Sequence, residues 1–310
     1  MSKPNWLKLY PRKLSSLSIA GMVLLTSAIT ADAKEVTQQF NGLMLNANLE
    51  LAEDGADIPD SIVLIVHGLM GHNRMEIIEA AQQALLDNNR SSLAINLSLG
   101  VDNRKGFFVC DTPHRHLQDN AVSEIAAWVA WLRAQNVKDI VLLSHSRGAN
   151  ESMIYAATQL DPEITHLVML APGVDDSKQH FEDRYGKTFD QTLERMKKEQ
   201  DAGRGDQLVE NVDFWSCPQA TVTPDSFISY YSESSRFRKF ETYIPKIRIP
   251  LLVVNAGSDE LVPNIEAKLA QFVDGERLRL VTIEGSGHFF LDFNIEEAIE
   301  AIIEYLGEAV

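Results

Sequence analysis

Basic residues, cysteines and long apolar runs are all scarce in this 310-residue chain. Lys and Arg together number 28 against 44 Asp and Glu, which gives a net charge of −16. Such a surface repels phosphate backbones and anionic lipids, so we exclude nucleic acid as a partner. After residue 33 no apolar stretch is long enough to span a bilayer, and we expect no membrane span in that part of the chain.

The overall composition is typical of a soluble globular protein, with 45% hydrophobic and 23% charged residues. A chain of this length holds one large domain or two ordinary ones. We start from one domain, because α/β sheets often exceed about 200 residues as a single unit.

The first 33 residues have the three parts of a secretory signal peptide. Four basic residues (Lys3, Lys8, Arg12 and Lys13) precede an apolar run over 14–30, and Ala31-Asp32-Ala33 follows as a small-x-small cleavage site. We predict a signal peptide over 1–33, cleavage near Ala33, and a mature domain over 34–310 in the periplasm or outside the cell. The alternative is an uncleaved membrane anchor. Cleavage removes four of the 28 basic residues and one of the 44 acidic residues, which leaves a net charge of −19.

The two cysteines, Cys110 and Cys217, enter an oxidising compartment if the chain is exported. Either they pair, or they are buried thiols that behave as small hydrophobic side chains. A bridge would close a loop of about 100 residues and stabilise the fold by roughly 4 to 5 kcal/mol.

Short runs that are apolar on both faces alternate with segments of helical periodicity. The runs cover 61–67, 92–97, 139–144, 166–171, 250–255 and 278–283. The helical segments cover 75–86, 121–132, 149–160 and 265–272. This order predicts an α/β fold, in which helices cover both faces of a mainly parallel sheet. Residues 40–51 alternate more loosely and predict a half-exposed hairpin or edge strand before the sheet.

A final helix is predicted near the end of the chain. Apolar residues over 295–306 follow a helical period opposite glutamates, and we predict Asn294 as the N-cap with Glu297 in a capping box.

Residues of about 174–247 break the alternation of strands and helices, since they are rich in charged residues first and in aromatic residues later. The aromatic residues are Phe214, Trp215, Phe227, Tyr230, Tyr231, Phe237 and Phe240. We interpret this segment as a cap inserted over the sheet.

The pentapeptide Ser144-His145-Ser146-Arg147-Gly148 stands where a buried strand passes directly into a helix. A serine on such a sharp turn presents its Oγ at the carboxyl edge of the sheet, where open α/β folds bind ligands. Small residues must flank the turn because it brings neighbouring backbone together. Ser146 is therefore the predicted nucleophile; the alternative is a serine that only caps the helix.

A serine hydroxyl needs a base within hydrogen-bond reach, and histidine titrates in the right range. Of eight histidines, His288 follows the strand at 278–283 in a tight Gly-Ser-Gly-His turn, whereas His67 and His145 are expected to be structural. We predict His288 as general base; the alternative is a solvated loop histidine.

The third group should orient the imidazole and stabilise its charged form. Asp259 follows the strand at 250–255, and we predict that it supplies this carboxylate. Neighbouring Glu260 is the competitor, and an N-cap role for Asp259 is the alternative. The order Ser146, Asp259, His288 is the one expected for a nucleophile elbow in an α/β sheet.

These motifs together resemble the α/β-hydrolase superfamily, in its esterase, lipase and serine-aminopeptidase branches. The resemblance implies an α/β-hydrolase fold with Ser146, Asp259 and His288 as catalytic triad. It also makes the backbone N–H groups of Leu69 and Arg147 the oxyanion donors, because His67-Gly68-Leu69 matches the family's His-Gly loop. The chain departs from the family pattern in having Ser144 where glycine is usual and a single glycine after His67.

The predicted reaction is hydrolysis of a small carboxylic ester through an acyl-enzyme on Ser146. We expect the loop over 98–118 to line the pocket and an apolar acyl or aryl group to fill it. This preference comes from residues near the site, namely Leu69, Met70, Phe107, Phe108, Phe289 and Phe290. A peptidase or thioesterase uses the same triad, and a non-catalytic binding protein is the alternative from another class.

No cofactor or metal is expected, since the triad requires none. A metal site at Asp111, His114 and His116 is a minor alternative, because no third strong ligand group is placed there by a helix or strand. The sequence does not determine the oligomeric state.

Overall fold

The fold is seen in a computed structural model that describes residues 34–53, 55–173, 177–233, 235 and 240–308. The predicted signal peptide over 1–33 and Phe237 of the aromatic segment lie outside the described residues. No helix in the described ranges combines the length and apolar character needed to cross a membrane.

Eight strands of the described residues form one sheet. They are β1 (Lys34–Phe40), β2 (Leu43–Glu50), β3 (Ser61–Val66), β4 (Ser92–Asn96), β5 (Asp139–His145), β6 (Ile164–Leu170), β9 (Leu251–Ala256) and β10 (Leu278–Ile283). Their order across the sheet is β1-β2-β4-β3-β5-β6-β9-β10. From β4 to β10 every neighbouring pair is parallel, whereas β2 runs antiparallel to both β1 and β4. The predicted mainly parallel sheet is confirmed.

Helices cover the sheet on both faces. They are α1 (Glu76–Asp87), α2 (Gln118–Ala134), α3 (Arg147–Thr158), α8 (Ile265–Leu269) and α9 (Asn294–Glu308). The apolar residues of α1 and α9 pack on one face of the sheet, and those of α2, α3 and α8 pack on the other. Strand β3 contributes Leu64 to one of these cores and Ile65 to the other. This two-sided burial explains why the central strands are apolar at every position.

Strand β2 is more buried than its alternating sequence predicts. Asn46 and Asn48, expected on an exposed face, are each 2% exposed because β2 is an interior strand between β1 and β4. The Asn46 Nδ2 donates to the carbonyl of Arg104 at 2.9 Å, and the Asn48 Nδ2 donates to the carbonyl of Asn73 at 3.2 Å. Such hydrogen bonds make burial of a polar amide tolerable.

The start of α9 and the end of α8 also differ from the prediction. Asn294 is the first residue of α9 and not its cap, and its Nδ2 donates to the Leu291 carbonyl at 2.8 Å. The Glu297 N–H donates to the Phe293 carbonyl, so the helix starts one residue earlier than the predicted capping box requires. Helix α8 ends at Leu269, short of the predicted 272.

The segment between β6 and β9 contains further elements with an apolar core of their own. They are α4 (Ser177–Tyr185), α5 (Phe189–Asp201), β7 (Val209–Phe214), β8 (Cys217–Val222) and α6 (Pro224–Tyr231). A short helix α7 (Phe240–Tyr243) and a 3₁₀ turn at Ile244–Lys246 follow, and Tyr243 and Ile244 pack into the core of the sheet. We name residues 177–233 the inserted segment. Its core contains Phe181, Phe214 and Phe227, and partly buried Leu69 and Met70 pack against it.

The loop between β4 and α2 is fastened to the inserted segment. Cys110 and Cys217 form a disulfide with an Sγ–Sγ distance of 2.10 Å, so the paired alternative holds. Close to the disulfide, the His114 N–H donates to the carbonyl of Thr221 at 2.8 Å, and the Thr223 N–H donates to the carbonyl of His114 at 3.0 Å.

Candidate active site

Ser146 occupies a sharp turn between β5 and α3. Its backbone angles are φ 53° and ψ −127°, a region that residues with a side chain rarely adopt. Its N–H donates to the Leu170 carbonyl of the neighbouring strand at 2.9 Å, which holds the turn at the carboxyl edge of the sheet. The strand-turn-helix context expected for Ser146 is therefore present.

Close packing of α3 on β3 dictates the small residues around this turn. A Cβ on Gly148 would lie 2.3 Å from the carbonyl oxygen of His67 and 2.9 Å from that of Val66, so only glycine fits. Ser144, where the family usually has glycine, is buried and its Oγ donates to the Ser152 Oγ at 2.6 Å. The departure from the family pattern is thus accommodated by a hydrogen bond inside the fold.

Three side chains from distant parts of the chain form one hydrogen-bonded line. The Ser146 Oγ lies 2.9 Å from the His288 Nε2, and the His288 Nδ1 lies 2.7 Å from an oxygen of Asp259. The side chains of His288 and Asp259 are only 6% and 3% exposed. With the Nδ1 proton donated to the carboxylate, Nε2 is free to accept the serine proton.

The Asp259 carboxylate is held in a fixed orientation. One oxygen accepts the N–H groups of Leu261 and Val262, each at 2.8 Å, and the other oxygen faces His288. Burial alone would raise the pKa of Asp259, but the hydrogen bonds from His288 and these N–H groups outweigh it and lower the pKa. Asp259 is therefore charged at neutral pH, whereas its competitor Glu260 is exposed to solvent.

The turns that carry Asp259 and His288 are joined to each other and to the serine turn. The Ser258 N–H donates to the Ser286 carbonyl at 2.8 Å, which connects the two turns. The buried His145 Nε2 donates to the His288 carbonyl at 2.8 Å. Burial, with the nearby His288 ring, lowers the pKa of His145 to about 3, so His145 is neutral. This is the structural role expected for His145.

The two predicted oxyanion donors lie beside the serine. Leu69 follows β3, Arg147 begins α3, and both line one cavity with Ser146. Within the described ranges the N–H of Leu69 has no hydrogen-bond partner. The start of a helix carries a partial positive charge, which favours a developing oxyanion near Arg147.

A cavity of about 590 Å³ opens over Ser146. Its apolar wall comes from both the sheet edge and the inserted segment, and consists of Leu69, Met75, Phe181, Trp215, Tyr230, Tyr231, Leu261, Val262 and Phe289. Polar groups from Arg147, His180, Asp183, Arg184 and Ser216 complete it. Its size and mostly apolar lining are typical of sites for small organic molecules.

The fold matches that of known proteins. A model of the alpha/beta hydrolase family matches residues 62–304. The chain belongs to the alpha/beta hydrolase family. A comparison with curated protein sequences gave no match.

Several solved structures share the fold. Est1E of Butyrivibrio proteoclasticus with ferulic acid bound has a TM-score of 0.61 at 23% identity, over 88% of this chain and 98% of that one. An esterase domain from Rhodothermus marinus has a TM-score of 0.57 at 16% identity, over 88% and 96%. An alpha-beta serine hydrolase homologue from Coxiella burnetii has a TM-score of 0.53 at 15% identity, over 88% and 97%. At these identities the likeness concerns the fold.

The pocket of this alpha/beta hydrolase is not lined as the sequence predicts. Among the residues named for it, Leu69 and Phe289 line the cavity, whereas no residue of the 98–118 loop does. Phe290 is 1% exposed in the core, Phe108 is buried, and Phe107 is 60% exposed against His72. The prediction for this loop was wrong because the disulfide and the backbone hydrogen bonds of His114 hold the loop against the inserted segment.

The sequence did not reveal the aromatic wall of the cavity or the packing of the Arg147 side chain against it. The Arg147 guanidinium lies 5.2 Å from the ring centre of Trp215 and 4.9 Å from that of Tyr230, and its Nε is 3.6 Å from Glu151. Burial raises the pKa of Glu151 to about 7. The concentration of aromatics in the inserted segment was the available signal, but sequence alone does not indicate which of them face the serine.

The three residues of the minor metal alternative do not share one environment. Asp111 is exposed, whereas His114 and His116 are buried among aromatic rings. The His116 Nδ1 lies 2.8 Å from the Tyr230 hydroxyl, and burial lowers the pKa of His114 to about 4. The described ranges contain no group of three or more His, Cys, Asp or Glu side chains arranged to hold a metal ion.

Proposed function

We propose that this alpha/beta hydrolase cleaves carboxylic esters through an acyl-enzyme on Ser146, with His288 as general base and Asp259 as the orienting carboxylate. The observation that carries the proposal is the hydrogen-bonded line from Ser146 to His288 to Asp259, at 2.9 Å and 2.7 Å. A hydroxyl, an imidazole and a carboxylate in this order form the arrangement that activates a serine.

In the first half-reaction the Ser146 Oγ attacks the ester carbonyl while its proton passes to the His288 Nε2. The Asp259 charge stabilises the imidazolium that results. The N–H groups of Leu69 and Arg147 receive the oxyanion, and a donor of this kind typically contributes about 3 to 4 kcal/mol. His288 then protonates the leaving alkoxide, and the second half-reaction repeats these steps with water as nucleophile.

The lining of the cavity supports an ester with an apolar acyl or aryl group. Aromatic rings of Trp215, Tyr230 and Tyr231 face the same space as Ser146, and flat rings pack well against an aryl substrate. Est1E, which shares this fold, binds ferulic acid, itself an aromatic acid. We therefore propose aryl and short apolar esters as the first substrates to test.

A fluorophosphonate probe tests the nucleophile directly. The probe should label the wild-type protein once per chain, and Ser146→Ala should abolish the labelling. Ser216→Ala is the matched control, because Ser216 is an exposed serine of the same cavity and should not affect labelling. A folded wild-type protein that resists the probe, or a Ser146→Ala variant that is still labelled, contradicts the proposal.

Turnover separates this proposal from the two alternatives. We expect hydrolysis of p-nitrophenyl esters that His288→Ala abolishes, which a non-catalytic binding protein would not show. Matched ester, amide and thioester substrates with the same acyl group then rank the three activities by kcat/KM. A higher value for the amide or the thioester would replace the esterase assignment by peptidase or thioesterase.

We also propose that the protein is exported and loses residues 1–33. The Cys110–Cys217 disulfide supports this, because stable disulfides are rare in reducing compartments. N-terminal sequencing of the protein from its own cell envelope or medium should give Lys34 as the first residue. Recovery of the uncleaved chain in a membrane fraction would favour the anchor instead.

A further inference from the structure

Arg104 is a buried cation that does not touch the cavity. It lies in the loop after β4, is 5% exposed, and donates its hydrogen bonds to neutral groups. The Nε donates to the Leu97 carbonyl at 2.9 Å, and Nη2 donates to the Gly71 carbonyl at 2.8 Å and to the Asn96 Oδ1 at 2.7 Å. Burial of a guanidinium is unfavourable, so such a residue needs a specific role.

Arg104 also reaches the histidine that precedes the oxyanion loop. Its Nη2 lies 3.2 Å from the His67 Nε2, and the Leu97 N–H points to the same nitrogen at 3.1 Å. Both groups are donors, so Nε2 carries no proton and the proton of the neutral ring is on Nδ1. Burial, with the Arg104 charge, lowers the pKa of His67 to about 3, which agrees with a neutral ring.

The His67 Nδ1 donates this proton to the Gly68 carbonyl at 2.8 Å, and the Gly71 N–H donates to the same oxygen at 3.1 Å. The Gly68 carbonyl and the Leu69 N–H belong to one planar trans peptide and point in opposite directions. Fixing the carbonyl therefore fixes the direction of the Leu69 N–H. A rotated peptide would present a carbonyl oxygen where the oxyanion needs a donor.

We propose that Arg104 is a positioning residue for catalysis: through His67 and the Gly71 carbonyl it holds residues 68–71 so that the Leu69 N–H stays directed at the oxyanion. This inference rests on the proposed acyl-enzyme at Ser146. It assigns a role to His67 beyond packing.

Arg104→Lys tests the proposal because lysine keeps the charge but lacks the planar fork that bonds several acceptors at once. We expect kcat for a p-nitrophenyl ester to fall about 10- to 100-fold, less than the roughly 10²- to 10³-fold loss from deleting a donor outright. KM should change less than about twofold, because the lost contact acts on the transition state. Arg133→Lys is the matched control, since Arg133 pairs with Glu163 at the exposed end of α2 and its loss should leave kcat unchanged.

Two further measurements distinguish a misdirected Leu69 N–H from a general disturbance of the active site. A trifluoromethyl ketone forms an oxyanion on the serine, and its Ki should rise by the same factor as kcat/KM falls. The acid limb of the kcat/KM profile against pH should not move, because Arg104 contacts neither His288 nor Asp259. A displaced triad would shift that limb.

Where Arg104→Lys does not fold, His67→Phe tests the next contact, since it removes the donor to the Gly68 carbonyl and keeps an aromatic ring. It should give the same loss in kcat with an unchanged KM. Wild-type kcat in either folded variant, alongside an inactive Ser146→Ala, overturns the positioning role alone. Full activity of Ser146→Ala overturns the proposed function and the positioning role together.

Discussion

Replacing Asp259 with asparagine tests whether the Asp259 carboxylate sets the tautomer of His288. In the wild-type protein one carboxylate oxygen accepts the N–H groups of Leu261 and Val262, and the other accepts the His288 Nδ1 proton at 2.7 Å. The two N–H groups still need an acceptor in Asp259→Asn, so the amide oxygen should stay with them. The amide NH₂ then faces His288.

This rearrangement reverses the roles of the two imidazole nitrogens. Nδ1 must accept a hydrogen bond from the NH₂, and the ring proton moves to Nε2, which faces the Ser146 Oγ at 2.9 Å. A protonated Nε2 cannot take the serine proton. We expect kcat to fall on the order of 10⁴-fold, equivalent to about 5.5 kcal/mol of transition-state stabilisation.

Steady-state hydrolysis of a p-nitrophenyl ester measures this effect, with urea unfolding as a check that the variant is folded. Glu260→Gln is the control, because it removes a charge from the neighbouring, exposed position and should keep wild-type kcat. A loss smaller than about tenfold in folded Asp259→Asn would refute the reasoning, as the tautomer would then not depend on Asp259.

Three further predictions concern stability. Gly148→Ala should lower the free energy of unfolding by about 3 kcal/mol or more, because its Cβ would meet the His67 carbonyl at 2.3 Å; urea unfolding measures this, and an unchanged midpoint contradicts it. Replacing Cys110 and Cys217 together with alanine should lower it by about 4 to 5 kcal/mol, given their separation of 107 residues; thermal unfolding with and without reductant checks this, and reductant should affect only the wild-type protein. Burial raises the pKa of Glu124 to about 7. Between the pKa of Glu124 in the unfolded chain and about 7, the folded state holds a proton that the unfolded state has lost, so the free energy of unfolding falls as pH rises through this range. The stability of Glu124→Gln relative to wild type should therefore increase from about pH 5 to about pH 8, and a constant difference across this range would contradict the shift.

Much of the sheet was predictable because each central strand carries its own signal. A strand covered on both faces must be apolar at consecutive positions, and the runs at 61–67 and 139–144 show this without reference to any other part of the chain. The burial of Asn46 and Asn48 was not predicted, because it depends on hydrogen-bond acceptors that distant residues supply. No local pattern distinguishes a polar residue with such a partner from one in solvent.

At the candidate site, too, local features were predictable and features that depend on distant residues were not. The positions of the three turns that carry the proposed triad could be predicted from the sequence alone, because Ser146, Asp259 and His288 each follow an apolar strand and parallel strands end at one edge of the sheet. The sequence could not indicate which aromatic rings face the serine, that the loop after β4 does not line the cavity, or that Arg104 contacts His67 and Gly71. Those features arise from contacts between residues far apart in the chain, and their geometry is set only when the whole sheet and the inserted segment are packed.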